Sequence, residues 1–172
     1  DLVFTNLKGI SIQKKFIESK ANMEGVSLSA YKVVEPGQFA YVPVTSRNGN
    51  KISIALNQSE KKYVISSTYI SFESQNHKEL LPEFLLLWFK RSEFARYARF
   101  NSWGSARETF DWSEMQRVRL PIPDIEVQKS IVAIHHALES RKRMNEKLKH
   151  TVADISPVLI RGVNRELESM QV

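Results

Sequence analysis

A group of basic and aromatic residues between positions 90 and 119 has a composition that suits nucleic acid. It holds seven basic residues, six of them arginine: Lys90, Arg91, Arg96, Arg99, Arg107, Arg117 and Arg119. Between them stand Tyr97, Phe100, Trp103 and Trp112. A guanidinium can bind phosphate or a guanine edge through two hydrogen bonds, which a lysine ammonium cannot do. Four acidic residues lie in the same stretch, so a solvated surface is an equal alternative on these residues alone: Glu93, Glu108, Asp111 and Glu114.

The sequence lacks the motifs of catalytic and cofactor sites. Its six glycines stand at least 12 residues apart, which excludes glycine-rich phosphate loops. The absence of cysteine excludes disulfides, thiolate metal sites and cysteine nucleophiles. His135 and His136 are adjacent, so they point about 100° apart on a helix and cannot converge on one metal. We therefore predict a binding module without a cofactor, a metal or a catalytic site.

Length and charge agree with this interpretation. The 172 residues, 42% of them hydrophobic, suffice for one globular core and an appendage. The net charge of +6 favours a polyanionic partner. The longest apolar run covers the six residues Phe84–Phe89, too short to cross a membrane. We expect a soluble, cytoplasmic protein, and because the chain begins with Asp1, we expect it to be processed or cut from a longer polypeptide.

The elements that must position the arginines follow from apolar patterning and turn residues. Alternating, β-rich segments predict an antiparallel sheet from residues 26–34, 39–45, 52–57 and 63–72, with a hairpin turn at Asn48-Gly49. A stretch without glycine predicts one helix from Pro82 to Phe100, followed by a loop at 101–105. Prolines at 121 and 123 predict an extended segment over 118–123. The predicted fold class is α+β.

A long helix is predicted from Ile125 to Ile155, ended or kinked by Ser156-Pro157, with a short second helix or frayed tail beyond. Two heptad positions form a seam in which seven of ten residues are aliphatic: Ile131, Ile134, Leu138, Arg141, Asn145, Leu148, Val152, Ile155, Leu159 and Gly162. This pattern fits a coiled-coil dimer with Asn145 setting the register. A surface helix packed on its own domain fits equally. The predicted domains are residues 1–123 and 124–172.

The order of motifs over residues 26–159 resembles the specificity subunits of type I restriction–modification systems. The end of a target recognition domain in that family is similar to Gly104-Ser105-Ala106-Arg107, Phe110, Trp112-Ser113-Glu114-Met115, Leu120-Pro121-Ile122-Pro123, Gln128 and Ile131. Upstream, the resemblance extends to the strand Tyr63–Phe72, the helix start Leu81–Leu85 and the strand–turn–strand Val34–Phe39. Gln38 stands where the family has an acidic residue.

The resemblance implies a DNA recognition domain followed by a helical spacer. Such subunits carry two units in tandem whose helices pair antiparallel, whereas this chain has one. Its seam would pair with a second copy or with another recognition unit. The family implies double-stranded DNA as ligand, methylation subunits that carry the cofactor, and a restriction subunit that cuts. Alternatives are the recognition domain of a single-chain restriction–methylation enzyme, a non-DNA coiled-coil scaffold, and a nuclease using Glu60 or Asp124.

Eleven residues of the predicted loops and helix are candidates for DNA contact: Arg47, Asn48, Asn50, Lys51, Arg96, Arg99, Asn101, Ser102, Trp103, Ser105 and Arg107. Arg47 and Lys51 fit solvated hairpin tips equally well. Arg107 matches the family motif, which points to a structural or DNA-backbone role, because a shared position cannot distinguish different targets. We expect Trp103 and Trp112 to pack within the domain rather than to stack on bases.

Overall fold

A computed structural model describes residues 6–19, 28–46, 48–49 and 51–169. The chain divides into two compact units, Asp1–Lys129 and Ser130–Val172. The described residues of the first unit form short strands and three α-helices. The strands are β1 Lys8–Ile10, β2 Phe16–Glu18, β3 Lys32–Val34, β4 Phe39–Tyr41, β5 Ile54–Leu56, β6 Tyr63–Ile65 and β7 Ile70–Phe72. The helices are α1 Pro82–Lys90, α2 Ser92–Phe100 and α3 Trp112–Gln116. Helix α4, Ile125–Ser169, begins in the first unit and forms the second.

All strand pairs in the three sheets are antiparallel, which confirms the α+β prediction. The central sheet has the order β5-β4-β7, with Ala40 opposite Ala55 on one side and Ser71 on the other. Two smaller sheets pair β1 with β2 and β3 with β6. The sequence did not predict β1 and β2, and of the predicted strand at 26–34 only β3 forms, residues 26 and 27 lying outside the described part of the chain.

The single strand predicted over residues 63–72 is wrong. A turn interrupts it, with the Tyr69 amide donating to the Ser66 carbonyl at 3.0 Å. Strand β6 therefore joins β3, while β7 joins the edge of β4 in the central sheet. Continuous apolar patterning hides this division because both halves contribute side chains to the same domain.

The core follows the two-residue alternation of strand β4. Phe39 and Tyr41 are fully buried on the face that packs against the helices, where the Phe39 and Phe89 rings lie 5.5 Å apart. Ala40 points to the other face and joins a second buried cluster with Val34 and Ile65. Burying both faces fixes the register of this strand, since a slip of one residue would exchange them.

The predicted helix at 82–100 is two helices. Arg91 separates α1 from α2 with extended backbone angles, φ −66° and ψ 147°, and its amide closes the end of α1 on the Trp88 carbonyl at 3.2 Å. The break lets Phe94 pack on Phe89, with the ring centroids 4.7 Å apart. No glycine or proline marks the position, so the break follows from tertiary packing rather than from local propensity.

Helix α4 continues through Pro157 to Ser169, so the predicted end at 156–157 and the separate tail are wrong. Proline removes one amide from the helical ladder but keeps a helical φ. Side chains supply bonds around it, with the Ser156 hydroxyl donating to the Val152 carbonyl at 2.6 Å and the Arg161 Nε to the Pro157 carbonyl at 3.2 Å. Across the described residues, the helices include none with the length and apolar character of a membrane span.

Candidate nucleic-acid interface

Two loops of the first unit are joined side by side by backbone hydrogen bonds. One connects β4 to β5 over residues 42–53, and the other follows α2 over residues 101–111; we call them the paired loops. The Thr45 amide donates to the Glu108 carbonyl at 2.9 Å, and the Phe110 amide to the Pro43 carbonyl at 2.8 Å. Phe110 is fully buried and fixes the second loop to the core. The structure thus places the loop that carries the described candidates Asn48 and Lys51 beside the loop that carries the candidates from Asn101 to Arg107.

The second loop has a rigid turn at its tip. Trp103 and Thr109 exchange two backbone hydrogen bonds, at 3.0 and 2.9 Å, which close the turn. Gly104 has a φ of +136°, and a Cβ added there would lie 2.4 Å from the Arg107 carbonyl oxygen. Only glycine fits such a position. The Gly-Ser-x-Arg sequence therefore makes a tight turn whose outer residues, Ser105 to Arg107, are exposed.

Some of the basic residues form ion pairs with carboxylates of the same unit, and others do not. Arg99 pairs with Glu108, and Arg117 with Glu114 at 2.8 Å. By contrast, Arg107 has no hydrogen bond or ion pair with any described residue. It therefore has its five donors available for an anion in solution.

The Glu93 carboxylate lies near two further basic residues. It lies 3.4 Å from Arg91 and 3.8 Å from Arg96. Hydrogen bonds to its own amide, together with the nearby Arg91, lower the pKa of Glu93, so it is ionised at neutral pH. Four arginines of the group thus face carboxylates, whereas Arg107 faces none among the described residues.

The remaining candidates of the first loop are partly described. Lys51 is exposed, and its ammonium has no carboxylate partner within the part of the chain that the structure describes. Asn48 is half-buried, and its amide donates to the Thr45 carbonyl at 2.9 Å. Gly49 has a φ of +58°, which confirms the predicted turn at Asn48-Gly49. Arg47 and Asn50 lie outside the described residues.

Two candidates at the end of α2 have structural roles. Ser102 is buried, and its hydroxyl donates to the Ala98 carbonyl at 2.6 Å. The Asn101 side-chain amide donates to the Tyr97 carbonyl at 2.9 Å. Both side chains bond to carbonyls in the last turn of α2, and the Tyr97 carbonyl also accepts the Asn101 main-chain amide at 3.0 Å. The structure thus gives both residues a role at the end of α2, and DNA contact by either stays a prediction.

The expectation for the tryptophans is right for one and wrong for the other. Trp112 packs with its ring centroid 5.3 Å from that of Phe72. Trp103, expected to pack, is 62% exposed, and Phe100, the last residue of α2, is 80% exposed. The break at Arg91 explains why Phe100 is exposed. Helix α2 does not continue the apolar face of α1, and it buries Phe94, Ala95 and Ala98 instead. Two aromatic rings thus stand in solvent beside the second loop.

The described residues include no group of three histidine or acidic side chains that could hold a metal ion. Glu60 is exposed in the turn after β5, and the Asp124 main-chain carbonyl accepts the Gln128 main-chain amide at 3.0 Å in the first turn of α4. The two residues proposed for the nuclease alternative therefore have no metal-binding companions among the side chains described.

The seam of the second unit is exposed in the isolated chain. Its seven aliphatic side chains have exposed fractions between 39% and 70%: Ile131, Ile134, Leu138, Leu148, Val152, Ile155 and Leu159. Asn145 is exposed between them. An apolar stripe of this length at heptad spacing is typical of a helix that pairs with another helix.

Comparison with known proteins gives one match. The family model described as Type I restriction modification DNA specificity domain matches residues 27–153, about three quarters of the chain. A search of curated proteins found no match. The matched segment contains the central sheet, both paired loops and the first part of α4.

Proposed function

The chain belongs to the type I restriction-modification DNA specificity domain family, and on that premise we propose that its first unit reads one half of a bipartite target in double-stranded DNA. The observation that carries the proposal is the pair of hydrogen-bonded loops that presents Lys51, Trp103 and Arg107 to solvent. Specificity domains recognise DNA for other subunits to act on. We accordingly propose that methylation subunits and a restriction subunit carry out the reactions, and that the complex acts in the cytoplasm.

Within this proposal, the paired loops divide two tasks. Arg107 and Lys51 bind phosphate, because both are exposed cations without carboxylate partners among the described side chains. Ser105 and the tip of the β4–β5 loop, including Asn48, Arg47 and Asn50, supply donors and acceptors for base edges. Arg96 and Arg99 contribute charge from α2, although each faces a glutamate.

We further propose that the seam pairs with a second copy of the chain or with another recognition unit, giving two reading heads. The 40 helical residues from Ser130 to Ser169 correspond to about 60 Å at about 1.5 Å per residue. That length exceeds one turn of DNA, about 34–36 Å. A helix pair could therefore set the spacing between two half-sites.

The proposal is tested by DNA retention of the purified chain as a function of salt. A pool of random duplexes gives the log–log slope, and repeated selection from the pool gives the preferred sequence. Arg107→Gln should reduce the magnitude of the slope by about 0.9, the value for one phosphate contact, and leave the selected sequence unchanged. Lys61→Gln is the matched control, because Lys61 is exposed in the turn at the opposite end of the β4–β5 pair. It should change neither.

Three outcomes would contradict the proposal. Absence of salt-dependent retention by the wild-type chain would favour the scaffold alternative. Metal-dependent nicking that Glu60→Gln or Asp124→Asn abolishes would favour the nuclease. Equal slopes for wild type and Arg107→Gln would remove the second loop from the DNA interface.

A further inference from the structure

A cleft of about 650 Å³ opens beside the paired loops, lined by the turn between β1 and β2, the junction of α1 with α2, and the end of the β4–β5 loop. Five of its nine lining residues are basic and none is acidic: Lys14, Lys51, Lys90, Arg91 and Arg96. We call it the cationic cleft. The cleft could not be predicted from the sequence, because its basic residues come from three separate segments.

Lys14 fixes one of these charges in the wall of the cleft. It is buried and has a φ of +61°, a conformation that costs energy for a residue with a side chain. Its amide closes the turn on the Ser11 carbonyl at 3.0 Å, and its ammonium donates to the Phe89 carbonyl near the end of α1. Burial and the nearby Lys90 lower the pKa of Lys14. Holding the positive charges of Lys14 and Lys90 close together therefore costs free energy, and an anion bound in the cleft would lower this cost.

The other cations differ in how far they are engaged. The Arg91 guanidinium lies over the Trp88 ring, 4.6 Å from the ring centroid, and it also faces the Glu93 carboxylate. Arg96 faces the same carboxylate at 3.8 Å. Lys51 and Lys90 are exposed. The Glu93 carboxylate faces two of the five cations, Arg91 and Arg96, and the residues that line the cleft include no acidic side chain, so the potential within the cleft is positive.

We infer that the cationic cleft binds the phosphodiester backbone of one DNA strand and thereby sets the register of the paired loops on the duplex. This inference rests on the proposed function. Lys51 connects the cleft to the paired loops, because its side chain lines the cleft while its main chain belongs to the β4–β5 loop. Its main-chain amide donates to the Asn48 carbonyl in the tip of that loop at 3.1 Å. A strand that follows the cleft would therefore pass directly to the loop that reads bases.

The shape of the cleft favours a chain of phosphates over a single free anion. It is open to solvent, and its lining also includes the apolar side chains of Ile12 and Ala95. An isolated phosphate would contact one or two of the cations, whereas successive phosphates of a backbone can contact several of them, among them Lys51, Lys90 and Arg96. The Lys14 ammonium is already bound to a carbonyl, so Lys14 contributes charge rather than a direct contact.

The test is a triple variant, Lys51→Gln, Lys90→Gln and Arg96→Gln, in the full chain. All three residues are exposed, so folding should be unaffected, and the melting temperature checks this. If each cation binds one phosphate, the salt slope falls in magnitude by about 2.7 and affinity at 0.1 M salt falls by roughly 100-fold or more. The sequence selected from the random pool should not change, because backbone contacts carry no sequence information.

The control removes three charges elsewhere, through Lys61→Gln, Lys62→Gln and Lys78→Gln, which are exposed and outside the cleft. A slope that falls equally in both triple variants reports net charge only and would overturn the inference. An unchanged slope in the cleft variant would overturn it as well, together with the roles proposed for Lys51 and Arg96, while the Arg107→Gln result would still support DNA recognition through the second loop. If inorganic tripolyphosphate binds the cleft without competing with DNA, the cleft serves a free anion instead and the inference is wrong. Failure of the wild-type chain to retain DNA would reject the proposed function itself.

Discussion

Gln128 should be a large single contributor to the stability of the first unit. Its side chain is fully buried and forms three hydrogen bonds across the chain. Its carbonyl accepts the Leu81 amide at 2.9 Å, and its amide group donates to the Glu79 carbonyl at 2.7 Å and the Pro123 carbonyl at 2.8 Å. The residue therefore ties the segment before α1 and the extended segment before α4 to the first turn of α4.

The expected effect of Gln128→Met follows from these bonds. Methionine keeps most of the volume, so the variant loses hydrogen bonding rather than packing. Three bonds at about 1 kcal/mol each give a destabilisation of about 3 kcal/mol. That is a substantial part of the roughly 5–15 kcal/mol that stabilises a domain. Chemical denaturation of the full chain measures it, with Gln116→Met as control, since Gln116 is exposed at the end of α3.

Gln128→Glu tests the direction of the bonds. A carboxylate can still accept the Leu81 amide, but it faces two carbonyl oxygens without a proton to donate. At pH 7 this variant should be at least as unstable as Gln128→Met. Burial and the two carbonyl oxygens would raise the pKa of this carboxyl in the folded chain, so lowering the pH protonates it, returns one donor and should recover part of the loss relative to wild type. If Gln128→Met lies within about 0.5 kcal/mol of wild type, or Gln128→Glu is as stable as wild type at pH 7, the reasoning is refuted.

Two further predictions concern the seam and the core. The double variant Leu138→Glu, Leu148→Glu should convert a dimer of the chain to a monomer in sedimentation equilibrium, because both side chains are exposed at seam positions. The control Lys147→Glu, which lies off the seam, should leave the dimer intact. A mass that the double variant does not change argues against pairing. Tyr41→Phe should raise the free energy of unfolding by about 1 kcal/mol, because the buried Tyr41 hydroxyl has no hydrogen-bond partner among the described residues. Burial and the nearby Asp111 raise the pKa of Tyr41, so the unfolded chain loses the phenolic proton first and wild-type stability should fall above about pH 10. Alkaline denaturation curves should show a smaller loss for the variant, which keeps only the raised pKa of Tyr69.

Features that depend on local chemistry could be predicted from the sequence. Asn48-Gly49 identified the turn between β4 and β5, because few residues accept a positive φ there. The family motif identified the loop beginning at Gly104, and the structure supplies the physical reason, a backbone contact that excludes any side chain. The α+β class followed from alternating strands and a long helical pattern.

Features that depend on distant partners could not be predicted. The break at Arg91 follows from the packing of Phe94 on Phe89, and it alone decides that Phe100 is exposed. The three bonds of Gln128 lead to backbone groups as far as 49 residues away. Lys14 lies between strands of three residues, too short to show a period. Each case needs the tertiary structure, because no local propensity marks it.

Main-chain atoms of Pro43, Thr45, Glu108 and Phe110 form two of the bonds that join the paired loops, and the Thr45 hydroxyl adds another to the Glu108 carbonyl at 3.2 Å. The main-chain bonds do not depend on the side chains that the loops carry at their tips. Mutation can therefore replace exposed tip residues other than Gly104, where only glycine fits, while the supporting frame keeps its geometry. A lineage under pressure from changing invaders could acquire new target sequences by exchanging a few exposed residues, without having to evolve a new scaffold each time.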